Sequence, residues 1–187
     1  MPSDWDEIDW KDESGSIAFR EWEKRDESRE KTKEDIEKVM DFTPDDWILV
    51  LLHLNGNSLK KTPIFKQLCI FGERTGINDF DVFSWYPHNY GTHSKEVEAA
   101  LKNLVSFSKL ELEMGKNEEG HVFYNYIIKD SAQAEYLCEL LPESIKNVLL
   151  ELKEEFEGKR VAEIVDFAHD AYPEYATKAI ANSYFNY

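Results

Sequence analysis

The chain has 187 residues and a net charge of -16, with 42% apolar and 32% charged positions. That length allows one good core with helical attachments. The acidic surplus argues against generic nucleic-acid binding, which needs Lys and Arg to neutralise phosphates. Cys69 and Cys138 stand alone, without the spacing of a disulfide framework or a zinc site. Residues 1–16 are acidic, unlike a secretory leader, and the longest apolar run, residues 47–52, is far too short to span a membrane. The expectation is a soluble cytoplasmic protein with no membrane partner.

In chain order, residues 1–16 read as a flexible acidic tail that cannot bury enough apolar area to fold alone. Its Trp5 and Trp10 are candidate anchors of a docking peptide, because Trp is enriched among interface hot spots. Residues 17–42 read as a charged helix or linker: 23–35 hold no large apolar residue, and opposite charges share its faces.

A globular unit then covers 43–130. Thr43-Pro44 is a cap followed by a helix-opening Pro, and the helix it starts is stopped at Asn55-Gly56. A short extended piece leads to Thr62-Pro63, which repeats the signal and predicts a second helix to Arg74, ended by Gly76. Residues 80–91 look irregular or extended. Ser94 caps a third helix, in which Val97, Leu101 and Leu104 share a face. The period then becomes two: residues 110–114 alternate, 115–120 make a turn, and 121–129 are rich in strand formers, which predicts a β-hairpin. Residues 131–187 form a helical extension. Two apolar stripes in it, Ile145 to Phe156 and Val161 to Ala168, would serve a homodimer or wrap their own domain, and self-packing is favoured.

This order predicts a mainly helical α+β fold: a winged helix-turn-helix core with a two-stranded wing and added C-terminal helices. The helix and turn ILVLLHLNGNSL, the helix TPIFKQLCIF with Lys66 in its middle, the run FSWYPHNYGTHSKEV and the YPEY at 172–175 carry a resemblance. The chain resembles a group of small, mostly uncharacterised prokaryotic winged-helix proteins of archaea and bacilli. It is distantly similar to the SocA-like (Panacea) antitoxin domain. The resemblance covers somewhat under half of the chain, and implies regulation, toxin neutralisation or protein docking. One departure stands out: where the group has Tyr-Gly-Pro, this chain has Tyr90-Gly91-Thr92. That leaves Gly91 free to take a positive φ.

Two contact surfaces are expected. Lys60, Lys61, Lys66, Lys95 and Lys102 would form a basic face suited to DNA phosphates, with His93 among the few polar groups able to read bases. Tyr86 and His88, at the tip of the aromatic run, would stack on bases or on a peptide, while Phe83 and Tyr90 plug the core. Against DNA stand Glu96 and Glu98 on the third helix and four Glu on the wing. Asp166, His169 and Asp170 read as a local ion-paired trio, and Cys69 as a buried small hydrophobe. No nucleophile elbow, phosphate loop or metal motif accompanies them, so neither a catalytic, a cofactor nor a metal site is expected. The reading is a non-enzymatic interaction protein with a protein partner. A DNA-binding regulator using helix 94–107 is the alternative, and an antitoxin-like or nucleic-acid-mimicking acidic protein is a further one.

Overall fold

A computed structural model describes residues 30–88, 91–118 and 120–175. The docking tail with Trp5 and Trp10, the plug Tyr90 and the C-terminal run after Tyr175 lie outside the described residues. The described chain is mainly helical α+β, with seven α-helices and small antiparallel sheets. The helices are α1 (30–37), α2 (Pro44–Leu54), α3 (Lys61–Thr75), α4 (Lys95–Ser106), α5 (Ala132–Leu140), α6 (Glu143–Phe156) and α7 (Val161–Ala171). The strands are β1 (Ser58–Lys60), β2 (Tyr86–His88), β3 (Gly91–His93), β4 (Leu110–Lys116) and β5 (Val122–Ile128). Short 3-10 turns cover Ile77–Phe80 and Pro173–Tyr175.

The centre of the core is α2. Its residues Trp47, Ile48, Leu49, Val50, Leu51 and Leu52 are all buried, so it has no polar face. Helices apolar all round belong inside a fold, and α2 packs against α3, α4, α5 and α6. Its start is the predicted one. Thr43 Oγ1 accepts from the Asp46 N–H at 3.4 Å, while Asp46 Oδ2 accepts from Thr43 N at 2.9 Å and Oγ1 at 2.7 Å. This reciprocal box satisfies amides that the helix itself leaves unpaired. Thr43→Ala is expected to cost about 1 kcal/mol, read as a lower urea midpoint at unchanged slope.

Strand order in the larger sheet is β1-β5-β4, all antiparallel. Leu110 pairs with Ile128, Leu112 with Tyr126 and Met114 with Tyr124, so these residues share one face. The base of that face is core, with Leu110, Tyr126 and Ile128 buried, and its far end is exposed.

Several expectations need correction. Thr62 does not cap α3: the helix begins at Lys61 directly from β1, its N-cap Lys60 makes no side-chain cap bond, and Thr62-Pro63 sit inside the first turn. The span 80–91, read as irregular or extended, follows a 3-10 turn and is extended at Tyr86–His88, where it forms the first strand of an unexpected two-stranded hairpin, β2–β3. The end of the charged 17–42 segment is not a solvated linker. Ile36 and Val39 are buried in the core, and Asp35 accepts from Ser144 Oγ at 2.7 Å, which ties α1 to α6. The apolar stripes of α6 and α7 are consumed inside the chain: Ile145, Leu149, Leu152, Ile164, Val165 and Ala168 are all buried. Here the favoured expectation, self-packing, is what the described chain shows, with both helices against α3. Among the described residues no helix is long and apolar enough to cross a membrane.

Candidate interaction surface and the buried seam beneath it

The β2–β3 hairpin and the start of α4 gather one cluster. Ser94 caps α4, its Oγ accepting from Val97 N at 3.1 Å and donating to the Phe83 carbonyl. One hydroxyl thereby fixes the helix start and the aromatic run to each other. Pairing of Tyr86 with His93 and His88 with Gly91 then brings three predicted site residues together. The His93 ring stacks on Phe65 with centroids 5.1 Å apart, meets Tyr86 edge-on at 5.4 Å, and lies 5.1 Å from His88.

Glu98, one turn into α4, organises the charge around them. Its carboxylate lies 3.1 Å from His93 Nε2, 3.4 Å from Lys102 Nζ and 3.6 Å from Lys61 Nζ. Burial opposes ionisation of Glu98, but Lys61, Lys102 and His93 outweigh it and hold its carboxyl below the usual range. Burial, with His88 and Lys61 nearby, pushes the His93 pKa down against the pull of Glu98. One carboxylate thus answers two of the five expected contact lysines.

The other three do not complete a basic face. Lys60 turns away to β5, its Nζ 4.5 Å from the Phe123 ring centroid. Lys95 is exposed on α4. Lys66 is not on the surface at all: it is 1% exposed, in the middle of α3, whose residues Pro63 to Gly72 are buried throughout. Burial lowers the Lys66 pKa to about 8.

Around Lys66 runs a polar seam that joins α3, β3, α7 and the 3-10 turn at Pro173–Tyr175. A methyl group on Gly91 would sit 2.7 Å from Lys66 Nζ and 2.4 Å from His169 Nε2, so the hairpin backbone lies directly on both side chains. His169 is therefore not part of a surface ion-paired trio. Its Nε2 is buried without a hydrogen-bond partner among the described residues. Burial and then the neighbouring Lys66 push its pKa down, against the pull of Asp166 and Asp170. Next along the seam, Cys69 is buried as expected but bonded to Thr92, and burial pushes its thiol up to about 12. A thiol held protonated is a poor nucleophile.

Beyond Cys69, Glu73 accepts from Tyr175 Oη at 2.8 Å and from Asn78 Nδ2 at 2.6 Å, and Asn78 Oδ1 in turn accepts from Trp85 Nε1 at 3.0 Å. Burial and the bond to Glu73 raise the Tyr175 pKa. Arg74 bonds Glu155 of α6 at 2.8 Å. The YPEY element is thus a clamp that closes the chain onto α3. Its signal was present in the sequence, since Lys66, Cys69 and Glu73 recur at i, i+3 and i+7, the spacing of one helix face.

Among the described residues no group of His, Cys, Asp and Glu is placed to hold a metal. Compared with known proteins, the chain matches no family model, and neither a curated protein nor a solved structure shows significant similarity to it.

Proposed function

We propose that the chain is a non-enzymatic winged-helix interaction protein whose partner is another protein. In this reading α2, α3 and α4 are the three-helix core, α4 is the helix in the recognition position, and β4–β5 is the wing. The observation that carries it is the character of the wing. Met114 is 71% exposed and Val122 52%, with Leu112 and Tyr124 also open on the same face, and Phe107 at the end of α4 is 75% exposed. Such a run of apolar side chains suits a protein partner far better than a phosphate backbone. Glu111, Glu113 and Glu118 stand on the same hairpin and its turn against Lys109 and Lys116. A wing of that charge is repelled by DNA and attracts a basic amphipathic segment.

The basic face that would favour DNA is missing its members, because Glu98 answers Lys61 and Lys102 and Lys66 is internal.

In a titration with random-sequence duplex DNA at 150 mM salt, no saturable binding is expected. A tight complex with a steep salt slope would overturn the reading in favour of a regulator. The paired substitution Met114→Glu with Tyr124→Glu is expected to abolish retention of host proteins on the immobilised chain while leaving the melting temperature unchanged. Undiminished retention by the folded variant would show that the wing is not the contact surface.

A further inference from the structure

We propose that a cleft between the start of α3 and the α6–α7 turn binds a small organic phosphate. The cleft has a volume of about 390 Å³ and is bounded by β1, β5 and the first turns of α3 and α7. That size fits a ligand of sugar-phosphate or mononucleotide dimensions.

Its charge is opposite to that of the molecule. Lys60, Lys153, Lys159 and Arg160 line it, with Glu157 as the one acid in its wall, on a chain whose net charge is -16. Two of them, Lys60 and Lys159, are also held differently from Lys61 and Lys102. Lys60 Nζ lies 4.5 Å from the Phe123 ring centroid, and Lys159 Nζ lies 5.5 Å from that of Phe156 and 5.6 Å from that of Phe167. An aromatic face positions an ammonium group without cancelling its charge, whereas a carboxylate cancels it. Glu163 takes the backbone N–H and Nε of Arg160 and leaves its terminal nitrogens for a ligand. The N-terminal end of α7 points its positive dipole end to the same place. Gly158, at φ +73 with nothing within 4 Å of its side-chain position, keeps the approach over the turn open.

The rest of the lining supplies the reason to expect an organic ligand rather than a bare anion. Gln67 is 2% exposed yet lines the cleft, and its oxygen is taken by Asn55 Nδ2 at 3.3 Å. The amide nitrogen is then the donor left for a ligand. Asn125 stands beside it, its oxygen taken by Ser58 Oγ at 3.1 Å and its nitrogen leaning on Glu113 at 3.4 Å. Apolar side chains of Leu59, Pro63, Phe156 and Ile164 complete the wall. Cations set among a side-chain amide donor and apolar surface match a phosphate ester whose organic part is flat and polar at its edge.

Isothermal titration of the full chain at 150 mM NaCl with adenosine 5′-monophosphate tests this. Saturable one-to-one binding is expected, at least tenfold tighter than that of adenosine or of inorganic phosphate. Lys153→Glu combined with Lys159→Glu is expected to weaken it at least tenfold, and Lys109→Glu, remote from the cleft but equal in charge change per site, to leave it within twofold. The proposal is overturned by absence of saturable binding up to 10 mM, or by affinity indifferent to the cleft variants. It is also overturned if Lys109→Glu weakens binding as much, because the effect is then one of net charge. Inorganic phosphate binding as tightly as the nucleotide would overturn the organic part and leave an anion subsite alone.

Discussion

Between pH 7 and pH 9.5 the stability of the wild type is expected to rise relative to Lys66→Met by about 2 kcal/mol. The reasoning starts from burial. Lys66 is 1% exposed and its pKa is lowered from 10.5 to about 8. As pH rises through about 8 the folded protein releases the Lys66 proton while the unfolded chain still holds it. Unfolding then takes up a proton, so stability increases with pH, by up to about 1.4 kcal/mol per pH unit where the two states differ by a full proton. The gain is present above the folded value and is lost as pH falls through about 8.

Cys69 works in the opposite direction. Its thiol is raised from 9.0 to about 12, so above pH 9 the unfolded chain loses a proton that the folded one keeps. By pH 9.5 this takes back roughly 1 kcal/mol, and Cys69→Ala is expected to restore it. Urea denaturation at a series of pH values reads both effects as differences between variants, in which the remaining titrating groups cancel. Parallel curves for wild type and Lys66→Met would mean that Lys66 is hydrated in the folded protein.

The second large effect is expected at Gly91. Gly91→Ala should destabilise the protein by about 3 kcal/mol, combining a strained backbone with a steric overlap. The residue sits at φ +87, where a side chain is disfavoured, and the new methyl would lie 2.4 Å from His169 Nε2 and 2.7 Å from Lys66 Nζ. Trimming the neighbour should relieve part of the loss, so Gly91→Ala with His169→Ala is expected to cost less than the sum of the two single changes. A loss under about 1 kcal/mol for Gly91→Ala, read from urea midpoints, would show that the hairpin lifts easily off the seam. The position after Gly91 matters for the same reason. Thr92 bonds Cys69 through its side chain, a contact that a Pro at that position could not make.

Much of the fold was legible because its signals are local. The Thr43-Pro44 start, the Ser94 cap and the strand at residues 110–114 each act within a few residues of themselves and appear as read, although of the alternating apolar residues only Leu110 is buried. The Thr62 cap failed because β1 runs into α3 without the break that a cap terminates. The β2–β3 hairpin was missed because its strands are three residues each, too short for a period-two pattern to emerge. In the candidate site, His93, Tyr86 and His88 do meet, while Lys66 was misplaced. On a helix with one solvent face, a Lys marks the outside. On α3, enclosed by α2, α6, α7 and the hairpin, there is almost no outside, and periodicity cannot say so.

What the sequence by itself determined is the order of the main helices and the β4–β5 hairpin, the starts of α2 and α4, and the acidic character, because these depend on residue type and near-neighbour spacing. The tertiary structure decided which charges remain effective. Glu98 reaches lysines 37 positions before it and 4 after it and answers both, α7 and the YPEY clamp turn Lys66 and Glu73 inward, and β1, α6 and the α6–α7 turn together bring four cations to one cleft. Coulomb interaction and desolvation depend on distance and burial through space, and neither is written in the order of residues.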